Sequence, residues 1–138
     1  MPDFEILEHT ADIGVRAFGS TLADLFVSAA LGVQSIALES DRINPAESYE
    51  VNATGEDTES LLVNWLNEVI YFLDAKRIAF ARFDIKTFSD HEIAAQAWGE
   101  PFNAERHDFQ ITVKAATWHQ LKISYEQDRW VAEVYLDI

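Results

Sequence analysis

Apolar residues along the chain recur with two different periods, and the two periods predict two kinds of structural element. Two segments repeat apolar residues every three to four positions, which is the period of a helix with one buried face. We therefore predict helices at about 22–36 and 57–75. Thr21 and Asp24 have the spacing of a capping box at the start of the first helix. The acidic turn at 54–57 suits the positive end of the second helix dipole.

Shorter segments, most of which alternate apolar and polar residues, predict β-strands. These segments are 4–7, 13–18, 49–53, 82–87, 93–97, 109–115, 121–125 and 130–138. We expect Gly99 and Pro101 to stop the strand that begins at 93. Two helices packed with an antiparallel-rich β-sheet make an α+β fold, predicted as a single domain over residues 1–138.

Alternation in the last strand also predicts which side chains leave the core. The even-numbered residues are apolar, so the odd-numbered ones should face the other way. These outward residues are Val131, Glu133, Tyr135 and Asp137.

Charge and composition exclude several classes of function. The net charge is −14, from 24 acidic and 10 basic residues, so direct binding to RNA or DNA is not expected. An acidic protein more readily meets a cation, a basic ligand or a basic protein surface, although solubility alone also accounts for the charge. The absence of cysteine excludes disulfides, thiolate zinc sites and a cysteine nucleophile. No apolar run approaches the ~20 residues of a membrane span, and we expect a cytoplasmic protein.

Acidic residues near both ends of the chain suggest a site for a hard cation. The polar segment 8–14 lies between two apolar strands and includes Asp12, which belongs at a strand end because burying unpaired charge is costly. A turn in which Asp12 accepts local backbone hydrogen bonds is the alternative. Asp137 precedes Ile138, so the side-chain and terminal carboxylates are one residue apart. Oxygen ligands of this kind suit Ca²⁺ or Mg²⁺, and Asp12 would complete the set if folding joins the two ends.

An ordinary set of catalytic groups is missing. The segment from Lys114 to His119 contains small residues that allow close backbone approach, but a hydrogen-bonded structural histidine is the alternative to a functional one. The sequence has no G-x-S-x-G nucleophile elbow, no phosphate-binding glycine loop and no H-E-x-x-H zinc pair. A carboxylate cluster without a nucleophile fits metal handling better than turnover.

Five motifs, in order along the whole chain, resemble those of the archease family. They are His9–Gly14, Gly55–Asp57 running into Leu61–Glu68, Trp98–Pro101 with His107, Lys114–His119, and the closing Asp137–Ile138. Trp118 stands where many relatives have tyrosine, which preserves the aromatic character.

The resemblance implies a small acidic accessory protein of an RtcB-type RNA ligase. Such a ligase joins RNA ends that carry a 3′-phosphate and a 5′-hydroxyl, in tRNA splicing and RNA repair. The accessory protein is not an enzyme; it promotes guanylylation of the ligase's active-site histidine and supports multiple turnover.

The resemblance also implies a divalent-metal site, whether for calcium, magnesium or manganese. By motif match, its ligands are Asp12, Asp137 and the carboxylate of Ile138. His9, Lys114 and His119 match neighbouring motif positions, where they would support the site or contact the partner.

Two alternatives come from other classes of function. The first is a metal-dependent phosphohydrolase that uses Asp12, Asp137 and His119 and releases phosphate without a partner. The lack of a basic phosphate clamp counts against it. The second is a general chaperone or adaptor, which would bind many unfolded clients and would not depend on the C-terminal carboxylate.

Overall fold

The computed structural model describes residues 3–8, 13–38, 43–103 and 110–138. Within these ranges the chain forms two helices and eight strands. In chain order they are β1 (Asp3–Glu8), β2 (Ile13–Gly19), α1 (Leu22–Ala37), β3 (Glu47–Thr54), α2 (Thr58–Asp74), β4 (Ile78–Phe88), β5 (Glu92–Pro101), β6 (Ala115–Ala116), β7 (Lys122–Glu126) and β8 (Arg129–Asp137). The predicted α+β class and both predicted helices are confirmed.

The described strands form two antiparallel sheets rather than one. The larger has five strands in the order β1-β2-β8, with β6 and β7 both pairing β8 on its other edge. The smaller has three strands in the order β3-β5-β4. Helix α1 packs against β2, and α2 packs against β3 and β6. One apolar cluster joins both sheets and both helices, because each element turns its apolar side toward the same interior.

Both helices begin where the sequence predicts. The side chains of Thr21 and Asp57 each accept a hydrogen bond from the backbone N–H three residues further on, at 3.1 Å and 2.8 Å. Trp65, in the apolar stripe of α2, is fully buried and donates its indole N–H to the carbonyl of Phe26 at 2.9 Å. This confirms that the stripe of α2 forms the core.

A buried glutamine joins the two layers. Gln34 of α1 is only 1% exposed. Its Nε2 donates to the carbonyl of Phe80 at 2.8 Å, and its Oε1 accepts from the N–H of Phe80 at 2.7 Å. The amide thereby satisfies two buried backbone groups of β4, an edge strand of the three-stranded sheet, as buried polar groups require.

The predicted strand at 109–115 is wrong over its described part. Only the end of the segment pairs with β8, and residues 110–114 form no strand. The N–H of Gln110 donates instead to the carbonyl of Ala37 at 2.8 Å, and Val113 is buried. The alternation of apolar and polar residues in this segment therefore reflects burial of its apolar side chains near the end of α1, and not the hydrogen bonding of a β-strand. Phe109 lies outside the described residues.

The prediction that Gly99 and Pro101 stop a strand is also wrong, because β5 continues through both. A Cβ atom at Gly99 would overlap the carbonyl oxygen of Ala79, so glycine is needed here for close approach of β4. The pairing of β5 with β3 ends at Gly99, which is opposite Glu47, the first residue of β3. Pro101 lies beyond this point, so its missing N–H breaks no hydrogen bond to β3.

Candidate functional site

The pairing of β2 with β8 decides which residues share the C-terminal end of the five-stranded sheet. Ile13, the first residue of β2, is the Cα partner of Leu136, and the ladder runs from there to Gly19 opposite Trp130. Asp137, the last residue of β8, therefore lies at the end of the sheet where β2 begins. His9 and Asp12, two of the predicted site residues, lie outside the described residues.

The segment that begins at Lys114 holds the other side of this strand end. The N–H of Lys114 donates to the carbonyl of Asp137 at 2.8 Å. Both the N–H and the hydroxyl of Thr117 donate to the carbonyl of Tyr135 at 3.0 Å. The backbone of β8 is thus fixed as far as Asp137, while Ile138 follows the strand with 53% of its surface exposed.

The outward residues of β8 lie on the face that the sequence predicts. The apolar core cluster includes Ala132, Val134 and Leu136, whereas Val131, Glu133, Tyr135 and Asp137 are not part of it.

Tyr135 is buried on this outer face by its own neighbours. It is 5% exposed although it points away from the core. A Cβ atom at Gly14 would come within 2.9 Å of its Cδ1, so its ring lies across the glycine of β2. The ring centroid of His119 is 6.2 Å away. Gly14, Tyr135 and His119 therefore form one surface beside the strand end.

Both arginines on the five-stranded sheet form ion pairs. Nε of Arg16 lies 3.0 Å from Glu133, and an Nη lies 3.7 Å from Glu5. The hydrogen bond to Glu133, together with the negative charge of that residue, raises the pKa of Arg16 above its usual range. Arg129 likewise lies 3.1 Å from Asp3. By contrast, no described cationic side chain lies within salt-bridge distance of the Asp137 carboxylate, which leaves it available to a cation or a basic partner.

The sequence prediction does not include Asn67, a half-buried polar residue of α2 that positions the strand end. Its Oδ1 accepts a hydrogen bond from the N–H of Ala116 at 2.8 Å. This contact joins α2 to β6, and β6 in turn holds the end of β8. The sequence signal that could have identified Asn67 is its polar side chain within the motif at 61–68.

The described residues alone form no group of three or more histidine or acidic side chains able to hold a metal ion. Of the predicted ligands, Asp137 and Ile138 are adjacent at the end of β8, and Asp12 lies outside the described residues, so the three-ligand set stays a prediction. The oxygen donors at this strand end match the preference of Ca²⁺ and Mg²⁺ for hard ligands.

Comparison with known proteins places the chain in a family. Residues 4–138 match the model of the archease protein family. The chain belongs to the archease family. The protein archease of Methanosarcina acetivorans is 37% identical, over 98% of this chain and 95% of that protein. The protein archease of Saccharolobus islandicus is 38% identical over the whole of both chains.

Solved structures share the archease fold. The solution structure of Methanobacterium thermoautotrophicum protein 1598 has a TM-score of 0.80 and 31% identity, with both chains fully covered. A Thermotoga maritima crystal structure, described as "an archease, possible chaperone", has a TM-score of 0.66 over 96% of this chain and 94% of that one. Its 23% identity supports the fold alone. None of the described archease helices is both long and apolar enough to span a membrane.

Proposed function

We propose that this archease-family protein is a non-catalytic accessory protein that activates an RtcB-type RNA ligase. It promotes guanylylation of the ligase and its multiple turnover, in tRNA splicing and RNA repair in the cytoplasm. The observation that carries the proposal is the Asp137 carboxylate, which pairs with none of the described cationic side chains and lies at a strand end that Lys114 holds by a 2.8 Å backbone hydrogen bond. Fixed, unneutralised carboxylates without a nucleophile beside them suit binding and charge placement rather than turnover.

We further propose that Asp12, Asp137 and the carboxylate of Ile138 hold one divalent metal ion. Ile13 and Leu136 are Cα partners, and they are the sequence neighbours of Asp12 and Asp137. When bound, the metal would neutralise negative charge on the nucleotide phosphates during guanylylation. Calcium, magnesium and manganese all accept oxygen ligands. The identity of the bound ion is therefore a matter for metal-binding measurements.

The protein's own residues place these carboxylates and meet the partner. Lys114 and His119 flank the strand end and are proposed to contact the ligase, and His9 is proposed to support the site from the other motif. The net charge of −14 favours a basic, RNA-binding protein as the partner over RNA itself.

A phosphohydrolase fits the described residues less well. Hydrolysis of a phosphate ester needs cationic groups on the phosphate oxygens. Arg16 and Arg129, both on the five-stranded sheet, already pair with Glu133 and Asp3. No phosphate clamp is therefore available among the described arginines of this sheet.

The proposal is tested by guanylylation of a purified cognate ligase with labelled GTP, with and without this protein. We expect Asp12→Asn and Asp137→Asn each to reduce the stimulation of guanylylation by about tenfold or more, because each substitution removes one negative charge from the site. Asp128→Asn is the matched control, since Asp128 lies in the turn before β8, at the far end of the same strand pair.

Full stimulation by both site variants would reject the metal site, and no stimulation by the wild type would reject the function. Two further assays separate the alternatives. Phosphate release by the protein alone with Mg²⁺ or Mn²⁺ would identify a hydrolase. Protection of an unfolded client from aggregation, equal in wild type and Asp137→Asn, would identify a general chaperone.

A further inference from the structure

We propose that a groove beside the free edge of β4 binds an extended, basic segment of a partner protein, which joins the three-stranded sheet as an added strand. The groove lies between β4 and the first half of α1, and Arg129, the first residue of β8, also lines it. Asp137 ends the same nine-residue strand, so the groove and the candidate metal site are separated by about 26 Å along β8. The proposal does not rest on the proposed function, because it concerns a different surface.

The groove follows the edge of β4 that no described strand covers. Its volume is about 700 Å³, within the range of sites that hold a ligand. Phe83, Asp84 and Ile85 are consecutive, and all three line it. Since successive side chains of a strand point to opposite faces, a groove that contacts three in a row runs along the edge of the strand. Strand β5 covers one edge of β4, and among the described strands none pairs with the other edge.

Helix α1 closes this edge at one point and leaves it open at another. The amide of Gln34 bonds both backbone groups of Phe80, so these groups point away from β5. Groups that point away recur at alternate pairs of an antiparallel ladder, and β4 has one extra residue between Phe80 and Arg82. The N–H and carbonyl of Phe83 and of Ile85 therefore also point away from β5, and no hydrogen bond joins them to a described residue of α1. Such an edge can pair with a further strand.

Charge selects the segment that fits the groove. The lining contains three carboxylates, from Asp3, Asp24 and Asp84, and one cationic group, from Arg129. Arg129 lies 3.1 Å from Asp3. Asp24 accepts a hydrogen bond from the hydroxyl of Ser20 at 2.9 Å, and no described cationic side chain lies within ion-pair distance of it. Asp24 is therefore open to an incoming cation.

Asp84 is already engaged on the other wall. It accepts a hydrogen bond from the indole N–H of Trp98 at 2.9 Å and lies 3.6 Å from Nε of Arg82. Apolar surface comes from Val27 of α1 and Ile85 of β4, both half-buried. An added strand turns alternate side chains to opposite sides, so a segment that alternates apolar residues with lysine or arginine matches both the apolar and the acidic parts of the groove.

Like-charge repulsion disfavours two other occupants. RNA would bring its phosphates against the three carboxylates of the groove. A second copy of the chain would offer its own edge strand β1, Asp3–Glu8, which carries three acidic residues and no basic one. A basic segment of another protein is therefore the occupant that the groove favours.

The experiment measures by fluorescence anisotropy how three labelled eight-residue peptides bind the protein. The first alternates valine and lysine. The second has glutamate in place of each lysine, and the third keeps every lysine but has proline in place of two central valines. We expect the first to bind, the second not to bind, and the third to bind about tenfold more weakly than the first, because proline has no N–H to donate to β4.

Variants of the groove locate the binding. Asp24→Asn should weaken binding of the valine–lysine peptide about threefold or more, and Ala23→Phe, which fills the groove from α1, should weaken it at least as much. Asp90→Asn is the matched control, because Asp90 is exposed in the turn between β4 and β5 and does not line the groove. Hydrogen exchange at the amides of Phe83 and Ile85 should slow when the peptide is bound.

Absence of binding by the valine–lysine peptide, or equal binding by the wild type and both groove variants, would overturn the proposal. Equal affinity for the two lysine peptides, with unchanged exchange at Phe83 and Ile85, would indicate charge attraction without strand addition and would also overturn it. RNA binding or self-association that Ala23→Phe abolishes would overturn the choice of occupant. Circular dichroism of each variant confirms folding. Asp137→Asn should bind the peptide as the wild type does, so failure here and failure of the ligase assay are distinguishable.

Discussion

Replacing Gln34 should cost a large share of the protein's stability. Its amide makes hydrogen bonds of 2.8 Å and 2.7 Å to the carbonyl and N–H of Phe80, and both residues are almost wholly buried. Gln34→Leu keeps the volume but leaves two buried backbone groups without partners, at about 1–3 kcal/mol each. We expect a loss of about 2–6 kcal/mol, against the 5–15 kcal/mol that folded domains of this size typically have.

Gln34→Glu separates the hydrogen bonds from the packing. A carboxylate can still accept from the N–H of Phe80 but cannot donate to its carbonyl, whereas a protonated carboxyl group can do both. Because burial favours the protonated form, the pKa of this glutamate is raised on folding. The variant should therefore be strongly destabilised at neutral pH and should recover as the pH falls toward the pKa of the unfolded chain.

Urea unfolding at several pH values, followed by circular dichroism, measures both effects. Ser35→Ala is the control, because the hydroxyl of Ser35 bonds within α1, to the carbonyl of Gly32 at 2.7 Å. The reasoning is refuted if Gln34→Leu loses no more stability than this control, or if Gln34→Glu fails to recover in acid.

Three further predictions concern the strand end and the second helix. Gly14→Ala should lower stability by about 1–3 kcal/mol in urea unfolding, because the new Cβ would lie 2.9 Å from the ring of Tyr135; a stable variant would contradict the packing. Asn67→Ala should speed hydrogen exchange at the amide of Ala116, 2.8 Å from Asn67, without affecting α2; unchanged exchange would show that another group satisfies this amide. Backbone hydrogen bonding at the helix start lowers the pKa of Asp57 below 3.8, so its stabilisation is present above that pH and is lost as the pH falls through the lowered value. The stability gap between wild type and Asp57→Ala should close in acid, and a gap that persists would contradict this origin.

The periodicity of apolar residues correctly predicted those elements in which one face is buried and the backbone forms regular helix or strand hydrogen bonds. The stripe that contains Trp65 and the alternation of the last strand describe α2 and β8 correctly, since each buries one face. The segment at 110–114 alternates equally well but bonds to α1 through Gln110. Alternation reports which side chains are buried, and it does not report where the backbone hydrogen bonds go.

The sequence predicted which residues belong to the candidate site, but it did not predict how they are arranged in space. Motif matches pointed to Lys114, His119 and Asp137, and local alternation placed the last of these outside the core. Two contacts depend on the packing of segments that are distant in the sequence. They are the hydrogen bond between Asn67 and β6 and the packing of the Tyr135 ring on Gly14. Strand register between such segments is set by the packed fold, so no single stretch of sequence contains it.

The most direct test of the account adds one glycine after Ile138. The extension moves the terminal carboxylate by one residue and leaves the side chain of Asp137 in place. Guanylylation of the ligase is then measured with wild-type and extended protein at saturating concentrations. The account predicts that the extended protein still binds the ligase but loses most of its stimulation, and full stimulation would contradict a role for the terminal carboxylate.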